Sequence, residues 1–183
     1  MTKPAIASSK EEWLEARKAL LAKEKAHSKA GDALAAERRK LPWLEVTEPY
    51  AFDTPAGRRT LAELFEDKSQ LIVYHFMFGP DWEKGCKSCS FWSDHFSGTV
   101  PHLAARDARL VCISRAPLAK LQAFAERMGW THPWVSSAPS DFNFDFGVSF
   151  PPDAEGASYN YAPKTGSAEE LPGLSCFFKD AEG

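Results

Sequence analysis

Leu71-Ile72-Val73-Tyr74-His75-Phe76-Met77-Phe78-Gly79-Pro80-Asp81-Trp82-Glu83-Lys84-Gly85-Cys86-Lys87-Ser88-Cys89-Ser90-Phe91-Trp92 is the most informative stretch of this chain. Its first eight residues are an unbroken apolar and aromatic run, the signature of a strand buried on both faces of a mainly parallel sheet. Gly79-Pro80 ends the run, and a Cys-x-x-Cys follows where a helix should begin. Backbone N–H groups of a first helical turn point at the sulfur of Cys86, and the helix dipole favours negative charge there, so the nucleophilic thiolate is favoured. Lys87 adds a positive charge that tunes the thiol in the same direction. Three residues along, the sulfur of Cys89 lies on the same helix face and within disulfide reach. Cys86 is therefore expected to attack and Cys89 to resolve, with Trp82 and Pro80 flanking them as an apolar surface for a disulfide-bearing substrate.

Downstream the pattern keeps an α/β rhythm. Residues 90–105 fit a helix that Pro101 would bend or restart, 110–114 are a second buried strand, and Pro117 opens a helix that runs to Gly129. Residues 133–136 suggest a third strand. A long irregular stretch over 137–172 separates it from a last strand at 174–178, after which Asp180-Ala181-Glu182-Gly183 is a turn signal. Upstream, 44–47 and 50–52 are short strand candidates, Thr54-Pro55-Ala56-Gly57 is a turn, and 61–65 a short helix. Ser9-Lys10-Glu11-Glu12 has the capping-box pattern, with Ser9 as N-cap, and opens a charged helix over 13–39 that Gly31 should interrupt or cap. Residues 1–42 are thus expected to be a helical arm and 43–183 the main domain.

Composition bounds the function classes. The chain has 183 residues, a formal charge of −3, 44% hydrophobic and 26% charged residues, the balance of a globular protein with room for one sizeable core. With no Lys/Arg stripe and no long apolar segment, neither nucleic acid nor membrane is an expected partner; a protein or small-molecule thiol or disulfide is, and a homo-oligomer is compatible. Four cysteines, two of them (Cys112 and Cys176) inside apolar runs, do not make a stapled secreted scaffold, and the first ten residues lack the apolar core of a signal peptide. A cytoplasmic location and no cofactor are the expectations.

Other chemistry has less support. Zinc would need two ligands besides Cys86 and Cys89, drawn from His75, His95, His102 or Cys112, and no second pair has zinc-finger spacing; Cys112 and Cys176 read as small hydrophobes. His75, alone in an apolar run, reads as a hydrogen-bonded core residue. Arg115, just past the second buried strand, falls where ligands of α/β sheets bind. Phosphate-loop, dinucleotide and nucleophile-elbow motifs are absent.

These residues resemble a bacterial thioredoxin-like family catalogued as domain of unknown function 899. The resemblance is carried by the run from Leu71 to Trp82, Gly85-Cys86, Cys89-Ser90-Phe91-Trp92, Ser114-Arg115-Ala116-Pro117-Leu118, Ser140-Asp141-Phe142-Asn143 and Leu171-Pro172-Gly173-Leu174-Ser175. It implies an α/β thioredoxin-like three-layer fold with a mixed sheet and an N-terminal helical extension, and a thiol redox role. More distantly the layout is similar to peroxiredoxins, but Lys84 occupies the position of their hydroxyl residue and the cysteine arrives one residue early. The same resemblance makes Pro172 the candidate for the cis-proline that faces the sulfurs in thioredoxin-like proteins, with a substrate-binding role alongside Arg115. Such a sheet continues with a further strand and helix, so the chain is expected to be short at its C-terminus, leaving a sheet edge unpaired or borrowed by a neighbouring subunit. The expected function is a thiol–disulfide oxidoreductase; the alternatives are a non-catalytic thioredoxin-fold binding or structural module with inert or metal-binding cysteines and, behind it, a peroxiredoxin-like peroxidase.

Overall fold

A computed structural model describes residues 5–152, 154 and 156–180. It divides the chain into two compact units, residues 1–47 and 48–183.

The first unit is dominated by one helix, α1 (Lys10–Arg38), none of whose side chains is buried. Ser9 caps it, its hydroxyl accepting the Glu12 N–H at 3.1 Å. The Glu12 carboxylate reaches back one residue further than a capping box requires, to the N–H of Ser8 at 2.7 Å. Gly31 does not interrupt α1: the Ala-, Leu-, Glu- and Lys-rich flanks outweigh a single glycine, which costs about 1 kcal/mol in a helix interior. Residues 44–47 form no strand either. Leu44 is exposed, and without a neighbouring strand their pattern has no backbone partners.

The second unit is a mixed six-stranded sheet, in the spatial order β2 (Gly57–Thr60), β1 (Ala51–Thr54), β5 (Trp134–Ser136), β4 (Ala108–Ser114), β3 (Gln70–His75), β8 (Gly173–Phe178). The three central strands β5, β4 and β3 are parallel, whereas β1 and β8 run antiparallel to their neighbours. The turn at Thr54–Gly57 closes the β1–β2 hairpin, with the Thr54 hydroxyl donating to the Gly57 carbonyl at 2.7 Å. Helices cover both faces. On one lie α2 (Lys87–Ser93), α3 (Phe96–Ala104) and α4 (Leu118–Met128); on the other lie a 3₁₀ turn (Ala62–Phe65) and α5 (Phe142–Asp145). With a cysteine pair after the central strand and a late antiparallel strand beside it, this is the thioredoxin-like architecture expected.

Three local expectations are corrected. The helical stretch after the cysteines breaks at Asp94–His95, seven to six residues before Pro101, where the Asp94 carboxylate accepts the Trp130 indole N–H at 2.8 Å; Pro101 lies inside the second piece, α3. The 137–172 stretch is partly regular, holding α5 and a two-stranded hairpin of β6 (Ser158–Tyr159) and β7 (Ala162–Pro163). The buried run ends as a strand at His75, although Phe76 still donates its N–H to the Ile113 carbonyl at 2.9 Å. The turn expected at 180–183 lies, beyond its first residue, outside the described residues. Among the described residues β8 has one strand neighbour, β3, and no helix follows it.

Candidate functional site

Strand β3 alternates. Leu71 and Val73 enter one core cluster with Phe52, Val111, Ile113 and Phe142, while Tyr74 and Phe76 enter a second with Cys112, Leu121, Phe124 and Trp134. The segment from Phe76 to Cys86 has no regular structure but is tied at several points. The Cys86 N–H donates to the Met77 carbonyl at 3.1 Å and the Trp82 N–H to Gly79 at 3.2 Å. The Lys120 ammonium, from α4, donates to the carbonyls of Pro80 at 2.6 Å and Trp82 at 3.0 Å. Gly85 lets the chain cross the Phe76 ring: a Cβ there would lie 2.8 Å from Cε1 of Phe76.

This path delivers Cys86 to the N-cap of α2, half-buried, and Cys89 to its first turn, where it is 1% exposed. The two cysteines lie 3.8 Å apart and are free thiols. A disulfide needs its sulfurs about 2.05 Å apart, and no disulfide joins the pair here. Burial pushes the Cys89 thiol up to about 11, against the opposing pull of the neighbouring Tyr74 hydroxyl and Met77 N–H. Burial first, and the neighbouring Cys89 second, likewise hold the Tyr74 hydroxyl above its ordinary range. Cys112 is fully buried beneath this layer, packed in the second cluster with the Ser93 hydroxyl 4.0 Å from its sulfur, and burial pushes its thiol up. Cys176 is not a core residue: on β8 it faces solvent. The alternation of β8 places Phe177, and not Cys176, in the core.

The other expected site residues divide. Trp82 and Cys86 each pack against the margin of the second cluster, and Pro80 is exposed in the same loop, six residues before Cys86. Lys87 is exposed. Arg115 is engaged elsewhere: its guanidinium donates to the buried Glu170 carboxylate at 2.8 Å and stacks over the Phe144 ring at 4.3 Å, while the Ser149 hydroxyl donates to the other Glu170 oxygen at 2.6 Å. Burial raises the Glu170 carboxyl, against the pull of Ser149 and Arg115. Pro172 is not a cis-proline, since no described peptide bond is cis. Strand β8 begins directly after it, Gly173 paired with His75, and its carbonyl accepts the Tyr159 hydroxyl at 2.6 Å. His75 is the core residue expected: a ring nitrogen lies 2.8 Å from the Ser175 hydroxyl, the ring stacks on Phe142, and burial lowers it to about 4. Among the described residues no three His, Cys, Asp or Glu side chains are grouped so as to hold a metal ion.

Two participants escaped the sequence. Tyr74 was hidden in an apolar run, although strict alternation from Leu71 and Val73 would have sent it to the opposite face, toward the cysteines. Lys120 gave no local signal, being one lysine on the polar side of an amphipathic helix. On α2, Phe91 and Trp92 are 66% and 60% exposed, an aromatic surface beside the pair.

The chain belongs to the family described as "Bacterial protein of unknown function (DUF899)", which matches residues 1–183. No curated protein matches it. Among solved structures it is similar to the peroxidoxin BcpB of Mycobacterium tuberculosis, with 22% identity and a TM-score of 0.48 over 58% of this chain and 66% of that one. A peroxiredoxin Q of Xanthomonas campestris is 18% identical, with a TM-score of 0.45 over 58% of this chain and 64% of its own. PrxQ of Xylella fastidiosa is 15% identical, with a TM-score of 0.47 over 62% and 72%. The chain thus spans just under two thirds of the first two structures. No described helix is long and apolar enough to cross a membrane.

Proposed function

We propose that this member of the family is a thiol–disulfide oxidoreductase of the cytoplasm, acting on a protein or small-molecule disulfide. The observation that carries the reading is the asymmetry of the pair: a half-buried Cys86 at a helix start, 3.8 Å from a Cys89 that is 1% exposed. In this reading Cys86, the more exposed thiol, meets the substrate and Cys89 releases it. The Cys86 thiolate attacks one sulfur of the substrate disulfide, the Cys86–substrate bond forms, and the other substrate sulfur leaves as a thiolate. Cys89 then attacks the sulfur of Cys86, forming Cys86–Cys89 and freeing the second substrate sulfur. The substrate gains two electrons and the pair loses them.

Trp82, Pro80 and the exposed rings of Phe91 and Trp92 offer apolar surface to the substrate around Cys86. Lys87, being exposed, contributes a screened charge. Arg115 and Pro172 are not assigned to the substrate, because their polar groups are occupied by Glu170 and Tyr159.

The test is a redox titration combined with alkylation. A two-electron couple involving Cys86 and Cys89 is expected, with Cys86 alkylated faster in the reduced form and Cys89→Ser accumulating the mixed disulfide. A potential near −270 mV would mark a reductase and one near −120 mV an oxidant. Slow, equal alkylation with no couple would remove the proposal.

A further inference from the structure

Buried polar groups are almost always hydrogen-bonded, so the exceptions point to something that the protein alone does not supply. Three buried side-chain atoms lack a partner among the described residues: His75 Nδ1, Arg109 Nε and His132 Nε2. The last two belong to residues that border one cavity of about 490 Å³, within the range of about 300–1,000 Å³ typical of small-molecule sites. It lies away from the cysteines, where the parallel strands begin: Arg109 is the second residue of β4 and His132 lies two residues before β5, whereas Cys86 follows the far end of β3.

His132 is 5% exposed, and its ring is held between Phe96 at 5.7 Å and Trp130 at 5.5 Å from centroid to centroid. With the Ser97 oxygen accepting the Thr131 N–H at 3.1 Å and its own proton donated to His132 Nδ1 at 3.1 Å, Nε2 is the ring nitrogen that carries hydrogen. Arg109 spends its Nη1 on the Glu66 carboxylate, and its Nε–H is the second donor left over. Arg59, half-buried on β2, borders the same cavity and has no ion pair among the described residues. The indole N–H groups of Trp130 and Trp134 are taken by Asp94 and Ser114, so these residues offer the cavity ring surface alone. We propose that the cavity binds a small organic carboxylate with an apolar or aromatic body, its oxygens accepting from Arg109 Nε and His132 Nε2 beside the Arg59 guanidinium and its body resting against Leu121, Pro133 and the Trp130 ring. A planar carboxylate suits guanidinium donors. Glu63, Glu66 and Glu126 also border the cavity, and they repel a phosphate dianion more strongly than a carboxylate monoanion. The inference stands apart from the chemistry of the cysteine pair.

The experiment titrates the full chain with 3-phenylpropanoate, with the uncharged 3-phenylpropanamide and the dianionic phenyl phosphate as comparisons, and follows the indole N–H resonance of Trp130 by NMR. A saturable shift is expected with the carboxylate, at an affinity roughly tenfold or more above that of either comparison. His132→Phe, which keeps the ring shape, and Arg109→Met are each expected to weaken the carboxylate roughly tenfold or more. Arg59→Gln, at a half-buried position without an ion pair, is expected to weaken it about threefold and keeps the test available should the two buried changes disturb folding. No saturable shift up to about 10 mM carboxylate overturns the proposal, as does equal or tighter binding of the amide or the phosphate. Affinity unchanged by all three substitutions overturns it too, by placing the bound carboxylate elsewhere.

Discussion

The two faces of the sheet are built from the same strands yet do different work. On one, Leu71, Val73, Val111 and Ile113 pack against Phe52, Phe65 and Phe142, an aliphatic and aromatic layer that also holds Tyr50 and, stacked on Phe142, the buried His75. On the other, Tyr74 and Phe76 share the space with Cys89, Cys112, Leu121, Phe124 and Trp134, so sulfur and hydroxyl groups are interleaved with rings. One strand, β3, supplies both, residue by alternate residue. The lesson is that an unbroken apolar run can carry two separate functions, and that parity along the strand decides which residue serves which.

The sharpest way to break the comparison is to damage the first face and read the second. Phe52 is fully buried, with its ring 4.9 Å from that of Phe142. Phe52→Ala should cost about 3–5 kcal/mol in urea unfolding while the midpoint potential of the Cys86/Cys89 couple stays where it was. A shifted potential would show that the two faces are coupled through the sheet.

Next in size is an effect that both faces share. His75 lies on the first face and His132 beside Phe96 and Trp130 on the second; burial lowers each to about 4. In the unfolded chain they charge near 6.5, so between about pH 6.5 and 4 the unfolded state binds more protons. Stability is therefore whole above about pH 6.5 and falls as the pH drops through that window, by about 3 kcal/mol for His75 and less for His132. Glu170, whose burial favours the protonated form, offsets part of the loss. Unfolding free energies measured across this range should fall less steeply in His75→Phe than in the parent, and equal slopes would remove the assignment.

The smallest effect sharpens the comparison from the other side. Gly85→Ala puts a methyl 2.8 Å from the Phe76 ring, and overpacking of this kind costs roughly 1–3 kcal/mol. Because the strain falls on the segment that carries Cys86, the alkylation rate of Cys86 should change in this variant and not in Phe52→Ala. The reverse pattern would locate control of the thiol elsewhere.

Much of this was legible in the residues. The buried runs at 71–78 and 110–114, the helix after Pro117 ending at Gly129, and the helix start at Cys86 all rest on local signals of periodicity, proline and glycine, and they stand within a few residues of their observed bounds. The failures are of two physical kinds. Where a local breaker competes with strong flanks or with a distant partner, as at Gly31 and at Pro101, the local rule loses: the α1 flanks carry the helix through, and the Trp130–Asp94 bond lies at the break that precedes Pro101. Where the property belongs to tertiary context, sequence has no access to it. Leu44 alternates as a strand residue would and has no sheet to join; Cys176 sits in an apolar run yet on the exposed side of β8; Arg115 meets Glu170 across 55 positions of sequence. At the site, the cysteine pair and its place at a helix start were readable, whereas the packing of Tyr74 with Cys89 in one cluster and the Lys120 tie to the loop were not, because each joins residues 15 or more positions apart.

The loop between Phe76 and Cys86 has one further consequence. Lacking regular structure but tied by Gly79, Met77 and the Lys120 ammonium, it gives up its conformational freedom when the protein folds and not at each encounter with a substrate. On the proposed oxidoreductase reading, the entropy of aligning Cys86 is thus settled before the reaction begins, and the barrier to its attack is left to be mainly one of enthalpy. Neutralising the single ammonium of Lys120 would return that entropy to the activation step, turning a remote side chain on α4 into a setting for how steeply the reaction responds to temperature.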